Sequence, residues 1–243
     1  MVRRQVRARF HDLFLGFFWS IARPVTMTLV FIFLKHVSAA QTGVSGSYAP
    51  FLFTGLIVWF YFATSLQSVA NAMVHDAGLV QKVYFPRLVS TIAPLLSNAV
   101  DLLIGGVILV GLLIYYGQMP DWHLLLLPLV IVQLMLLILG LGLLFAGLTI
   151  ISRDWGEFLS LLLYLGLFLS PVIYSPDALP ERVRDIYHFN PMVGVLSAVR
   201  SCVLGGTPFP WAEWLYSTGI SVVLVLIGLH VFNYVERQML DRL

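Results

Sequence analysis

The stretch 124–151 contains no charged side chain, and this limits what the chain can fold into. An apolar run of this length is typical of a membrane-spanning helix, because about 20 residues cross the hydrocarbon core of a bilayer. Backbone groups find no water at that depth, so they must bond within a helix or a closed barrel. Further apolar runs lie on both sides of this stretch. The chain is therefore predicted to be an all-α, polytopic membrane protein.

The overall composition agrees with this fold class. Hydrophobic residues make up 59% of the chain and charged residues 11%, and the mean hydropathy is +0.91. Soluble domains carry about 25% charged residues. The 243 residues allow about six spans joined by short loops, which leaves no room for a sizeable aqueous domain. The single transmembrane domain, 1–243, is predicted to contain spans at 20–40, 51–72, 88–116, 124–151, 158–174 and 215–235.

Residues 1–19 are predicted to form an amphipathic helix that lies in the membrane interface. Apolar residues recur there at steps of three and four, and basic residues fall largely on the other side. Arginine heads would meet lipid phosphates while phenylalanines meet the acyl boundary. The alternative is that this segment is only the start of the first span. The arginines assigned to the interface are Arg3, Arg4, Arg7 and Arg9.

A polar, turn-rich stretch, 73–87, separates the second and third predicted spans. Pro86 cannot continue a helix and moves Phe85 out of helical geometry, which suggests a short helix that ends at this point. We predict that this stretch is a docking surface beside the membrane, and a plain loop between two spans is the alternative. The residues assigned to it are His75, Asp76, Leu79, Gln81, Lys82, Tyr84, Phe85 and Arg87.

The segment 175–214 differs from the rest of the chain. Proline and charged residues alternate in it with apolar stretches that are too short to span, one of which contains Arg200. Apolar segments of that length are more often re-entrant or interfacial. Of the 14 Lys and Arg residues, ten lie on the side of the N-terminal segment and four on the other. Positive charge marks the cytoplasmic side, so both termini are predicted to be cytoplasmic and 175–214 to lie on the outer face.

Several site classes are not expected. The histidines show no ligand spacing and Cys202 is the only cysteine, so no metal site and no cofactor bound by this chain is predicted. A net charge of +2 is too small to favour nucleic acid as a partner.

The order of several motifs resembles the membrane subunits of type-2 ABC exporters, and more narrowly those that export O-antigen, capsule or teichoic acid. The similarity covers nearly the whole chain. The motifs, in order, are LGFFWSIARP, KVYFPR, the Arg153-Asp154 turn, SPVIYSPDALP and YHFNPM.

This resemblance implies a subunit that is not itself an enzyme. It would dimerise and bind two copies of a separate ATPase, which would hold ATP and Mg; this chain has no GxxxxGK[ST] loop. The stretch 73–87 corresponds to the family's cytoplasmic coupling helix, and the arginines of 1–19 would also contact the ATPase. The segment 175–214 corresponds to an outer exit gate of short re-entrant helices. The cargo would be a lipid-linked polysaccharide, moved across the bacterial inner membrane.

Candidate residues for the cargo path follow from the chemistry of sugars. Aromatic rings can stack on the apolar C–H faces of a sugar, although aromatics also populate interfaces and helix contacts. Asp101 lies roughly 21 Å along a helix from Arg87, and an ionisable group inside a span is a functional candidate. A polar pair with Asn98 that only fixes helix packing is the alternative. The path candidates are Trp19, Trp59, Phe60, Tyr61, Phe62, Asn98, Asp101, Tyr164 and Tyr174.

Two other functions stay open at this point. A polytopic glycosyl or acyl transferase of envelope glycan synthesis would need convergent acid, base or metal groups at one depth. Asp101 is the only carboxylate that the predicted spans place inside the membrane. A scaffold protein without transport activity is the other possibility, and copurification of an ATPase would separate both from the exporter.

Overall fold

The computed structural model describes residues 13–38, 43–44, 47–80, 87–178, 180, 187 and 189–240. Side chains are not described at 13–17, 38, 73–80, 87–90, 177 and 236–240. The interfacial arginines Arg3, Arg4, Arg7 and Arg9 lie outside the described residues, as do Gln81, Lys82, Tyr84 and Phe85.

The described chain is built from helices, and the all-α prediction is confirmed for it. Two short 3-10 helices, Trp122–Leu126 and Pro176–Ala178, lie between the longer elements. The α-helices are α1 Leu13–Ser38, α2 Tyr48–Val80, α3 Arg87–Tyr115, α4 Leu127–Ile151, α5 Asp154–Leu169, α6 Pro191–Leu204 and α7 Trp211–Leu240.

Five helical segments of the described chain are long and apolar enough to cross a membrane. The fifth predicted span, 158–174, is not among them; it corresponds to α5, which has 16 residues and ends at Leu169. Pro171 explains this end, because proline cannot continue a helix and disfavours helical geometry in the residue before it. A six-span topology therefore stays a prediction. The five candidate spans are Phe18–Val37, Tyr48–Ala72, Thr91–Tyr115, Trp122–Ile151 and Trp211–Val235.

Three predicted boundaries differ from the structure. α1 begins at Leu13, so the last part of 1–19 is continuous with the first span. α2 does not end at 72 but runs on to Val80, which places the first part of 73–87 in the same helix as the second span. α7 begins at Trp211, so the last residues of 175–214 belong to the final helix. At each of these boundaries the neighbouring residues can continue a helix. At the end of α2, for example, no proline interrupts the chain between Ala72 and Pro86.

The core is organised around α2, which packs against α3, α4 and α6. α4 and α7 form the most extensive helix pair of the described chain. A Cβ added to Gly140 would lie 2.7 Å from the backbone of Leu224, and one added to Gly147 would lie 3.1 Å from Val231. Small residues let helix backbones approach closely in membranes. The GLGLLFAG stretch of α4, residues 140–147, supplies these small residues.

α6 is the short apolar helix predicted within 175–214. Pro191 occupies its first turn, and the side chain of Asn190 accepts a hydrogen bond from the backbone N–H of Met192 at 3.0 Å. Both features favour the start of a helix. With 14 residues, most of them buried against α2, α4 and α7, α6 packs into the bundle and is too short to span a bilayer.

Candidate functional site

A cavity of about 370 Å³ lies where α1, α2 and α3 meet. Four of the predicted path residues line it, and they come from three different helices. The cavity therefore combines aromatic rings with a carboxylate, a guanidinium group and hydroxyls. Its lining residues are Trp19, Ser20, Arg23, Pro24, Ile57, Phe60, Tyr61, Thr64, Asp101 and Leu102.

Hydrogen bonds between the helices fix the walls of the cavity. The hydroxyl of Ser20 on α1 donates to Oδ1 of Asp101 on α3 at 2.7 Å. The hydroxyl of Tyr61 on α2 donates to the carbonyl oxygen of Leu95 on α3 at 3.3 Å, in a buried position. These bonds hold each wall against α3. The Ser20 bond also gives the carboxylate of Asp101 a charge-assisted partner, which is stronger than a neutral one.

The hydrogen bond to Ser20 also sets the depth of Asp101. Ser20 lies close to the start of the candidate span Phe18–Val37. At the other end of α1, Nζ of Lys35 lies 4.2 Å from the ring centroid of Tyr48, the first residue of α2. From Ser20 to Lys35 the helix rises about 22 Å, in a hydrocarbon core of about 30 Å. The cavity therefore lies near the end of this candidate span at which α1 begins, and the Lys35 contact lies near the other end.

Other predicted path residues lie away from the cavity. Trp59 and Phe62 are buried in the core, with ring centroids 5.4 Å apart. A Cβ added to Gly166 of α5 would lie 2.8 Å from Trp59, so that ring packs directly against α5. Asn98 is buried, and its amide donates to the hydroxyl of Ser65 on α2 at 3.3 Å. All three side chains take part in contacts within or between helices, and their place in the cargo path stays a prediction.

α5 carries a polar face that the sequence reasoning missed. Glu157, Ser160 and Tyr164 are spaced three and four residues apart, which puts them on one side of a helix. All three are exposed, and Tyr164 has 66% of its surface accessible. Carboxylates are too costly to face lipid, so they face protein or water. Only Tyr164 was predicted as a path residue; its helical spacing from Glu157 and Ser160 was the signal for the other two.

Tyr174 lies in the turn that follows α5. Its hydroxyl donates to the carbonyl oxygen of Phe168 at 2.9 Å and also contacts the hydroxyl of Tyr187. The side chain is partly buried. Tyr174 therefore lies beyond the end of α5 opposite Glu157, and it does not line the cavity.

The predicted docking stretch is described only in part. His75, Asp76 and Leu79 belong to the helical backbone of α2, and Arg87 is the first residue of α3. Their role as an ATPase contact stays a prediction. In the part of the chain that the structure describes, no group of three His, Cys, Asp or Glu side chains is placed to hold a metal ion. Cys202 is a buried free thiol on α6.

Comparison with known proteins gives the family. A family model described as ABC-2 type transporter matches residues 1–204. The O-antigen export system permease protein RfbA of Klebsiella pneumoniae is 28% identical over 96% of this chain and 89% of its own length. RfbA of Myxococcus xanthus is 30% identical over 96% of this chain and 90% of its own. The polysialic acid transport protein KpsM of Escherichia coli is 25% identical over 98% and 92%. This chain belongs to the ABC-2 type transporter family.

Proposed function

We propose that this chain is the membrane subunit of an ATP-driven exporter that moves a lipid-linked polysaccharide across the bacterial inner membrane. The similarity to relatives named for O-antigen export and polysialic acid transport carries the proposal, because it extends over at least 96% of this chain. The cavity supports it, since its residues suit a sugar chain better than an ion or an apolar solute.

The cavity offers two kinds of contact to a sugar. The indole of Trp19 is 54% exposed, which leaves a ring face on which the C–H face of a sugar can stack. Asp101 and Ser20 offer carboxylate and hydroxyl oxygens to sugar hydroxyls, and an ionised carboxylate accepts strong hydrogen bonds. Stacking tolerates sliding along the ring face, whereas the hydrogen bonds are directional. A polymer can therefore be held and still advance.

The polar face of α5 would continue the path. Glu157, Ser160 and Tyr164 have few contacts within the chain, because the buried residues of α5 are only Gly156, Leu159 and Leu167. In the proposed exporter a second copy of this chain would cover the remaining surface, with the polar face towards a water-filled space between the copies. Polar side chains within membranes are found at such cavities.

Energy would come from two copies of a separate ATPase that binds ATP and Mg. α2 runs on past the candidate span Tyr48–Ala72 to Val80, which adds about 12 Å of helix. With both termini in the cytoplasm, this end of α2 and the start of α3 would carry the stretch 73–87 towards the ATPase. A continuous helix transmits a displacement at its end, whereas a flexible loop would absorb it.

The test combines copurification with export. We expect a small ATPase with a nucleotide-binding loop to copurify with this chain, and deletion of the chain to remove the polysaccharide from the cell surface. Trp19→Ala should lower surface polysaccharide while ATPase copurification is kept, and Trp19→Phe should restore most of it. Trp122→Ala is the matched control, because Trp122 is also exposed but lies outside the cavity. Activity of the purified chain alone on a sugar donor would favour the transferase instead.

A further inference from the structure

Arg200 is a buried cation in the otherwise apolar helix α6. Only 7% of its surface is exposed. Nη1 donates to the carbonyl oxygen of Pro171 at 2.6 Å, and Nη2 donates to that of Val172 at 2.8 Å. The guanidinium carbon lies 3.6 Å from the ring centroid of Phe51 on α2. We call this arrangement the Arg200 clamp.

The buried charge of Arg200 is compensated by carbonyl groups of a single turn. Its stability in the core therefore depends on the position of that turn. Removing a charge from water is costly unless hydrogen bonds and other charges compensate for it. Among the described residues, no carboxylate pairs with Arg200. Instead it meets carbonyl groups that directly follow α5, where the end of a helix carries partial negative charge. Burial lowers the pKa of the guanidinium to about 9, which leaves it protonated at neutral pH.

α2 contributes the space in which this contact forms. A Cβ added to Gly55 would lie 2.6 Å from Nη2 of Arg200 and 2.8 Å from the carbonyl oxygen of Val172. Glycine is therefore required at this position for the guanidinium to reach the turn. The hydroxyl of Tyr48, also on α2, donates to the carbonyl oxygen of Ile173 at 3.0 Å. Side chains of α2 and α6 thus hold the same turn.

The turn 170–174 is the main anchor for the outer end of α5. The amide of Asn190, the residue that caps α6, donates to the hydroxyl of Ser170 at 3.0 Å. Ser170 and Val172 are almost completely buried. α5 itself buries few side chains within the chain, as described above. A helix with so little packing depends on its anchored end for its position.

We propose that Arg200 is a positioning residue for export, which joins the outer end of α5 to α2 and α6 so that these elements move together. The inference rests on the proposed function for its effect on export, but the clamp can be tested without it. If the carbonyl groups were released, the guanidinium would lose its partners, so α5 cannot move away from α6 without a large cost. Export therefore requires concerted displacement at this point.

Cysteine accessibility in the purified complex tests the clamp directly. In a Cys202→Ala background, Val172→Cys reports on the turn, and Val195→Cys on α6 reports on the core; both positions are 0% exposed. With Arg200→Gln we expect a water-soluble maleimide to label position 172 at least about tenfold faster. This is the effect expected when one hydrogen bond to a charged group no longer keeps the turn closed. Labelling at position 195 should not change. Equal acceleration at both positions would mean general loosening and would overturn the proposal, as would continued protection of position 172.

A second variant keeps the test valid if Arg200→Gln fails to assemble. Gly55→Ala leaves the arginine in place but fills the space that it uses, so position 172 should again become reactive. Gly111→Ala is the matched control, because a Cβ there meets nothing within 4 Å. Both clamp variants should retain the copurified ATPase and lose most surface polysaccharide. If position 172 were labelled in these variants but export stayed normal, the role of Arg200 in export would be overturned. Failure of the wild-type chain to restore export would instead refute the proposed function and leave the labelling result intact.

Discussion

The contact between α4 and α7 gives a prediction whose size can be worked from distances. A Cβ added to Gly228 on α7 would lie 2.4 Å from the carbonyl oxygen of Gly140 on α4 and 3.2 Å from Cβ of Leu143. The nearest atom belongs to the backbone of a helix, so it cannot move aside as a side chain could. Gly228→Ala must therefore separate the two helices by roughly 1 Å, given a normal C–O contact of about 3.3–3.6 Å.

Overpacking of this kind costs about 1–3 kcal/mol. The helix propensity of alanine works in the opposite direction by about 1 kcal/mol. Gly111→Ala measures that second effect alone, because its added Cβ has no neighbour within 4 Å. We therefore expect Gly111→Ala to be neutral or slightly stabilising, and Gly228→Ala to be destabilising.

Thermal unfolding in detergent is the assay. For a chain of this size, 1 kcal/mol changes Tm by about 2–4 °C, so the Tm of Gly228→Ala should be about 2–12 °C below that of Gly111→Ala, in which the propensity gain is the same and the clash is absent. The far-UV circular dichroism before melting should match the wild type. Equal Tm values for Gly228→Ala and Gly111→Ala would refute the close approach of α4 and α7.

Three further predictions concern the path and the ATPase contact. Asp101→Asn should keep assembly but slow export, because the hydrogen bond from Ser20 becomes a neutral one; unchanged export at equal expression would exclude a direct role. Ser160→Cys on the polar face of α5 should react with a water-soluble maleimide in membranes, whereas a cysteine at Val132, which is 54% exposed on apolar α4, should not; equal reactivity would contradict a water-lined face. Reversing the charges of Lys82 and Arg87 to Glu should lower the yield of copurified ATPase, and undiminished copurification would remove 73–87 from the contact.

The helices could be predicted because long uncharged runs have few alternatives in a membrane. The predicted span was extended to 174 because Val172, Ile173 and Tyr174 resume the apolar run after Ser170 and Pro171. Pro171 nevertheless ends the helix, and its carbonyl becomes a partner of Arg200. A lone arginine in an apolar stretch was visible in the sequence, but its partners lie about 30 residues away and depend on tertiary packing.

The sequence predicted path residues by their type, but only the structure shows which of them lie together at the cavity. Phe60 lines the cavity while the adjacent Trp59 is buried in the core. α2 is apolar on every side in this region, so hydrophobic periodicity gives no information about which face is which. The cavity also requires α1 to lie beside α3. That arrangement depends on contacts such as the one between Ser20 and Asp101, which link residues far apart in the sequence.

α2 connects the Arg200 clamp, the cavity and the stretch 73–87 within one helix. Gly55 lies at the Arg200 clamp, Tyr61 lines the cavity and Val80 ends the helix at the stretch proposed to contact the ATPase. From Tyr61 to Val80 the helix rises about 28 Å. In the proposed exporter, a displacement at Val80 would shift the Tyr61 wall of the cavity relative to the α1 wall. Because the clamp ties the same helix to α5 and α6, it would also carry that displacement to the outer end of the path.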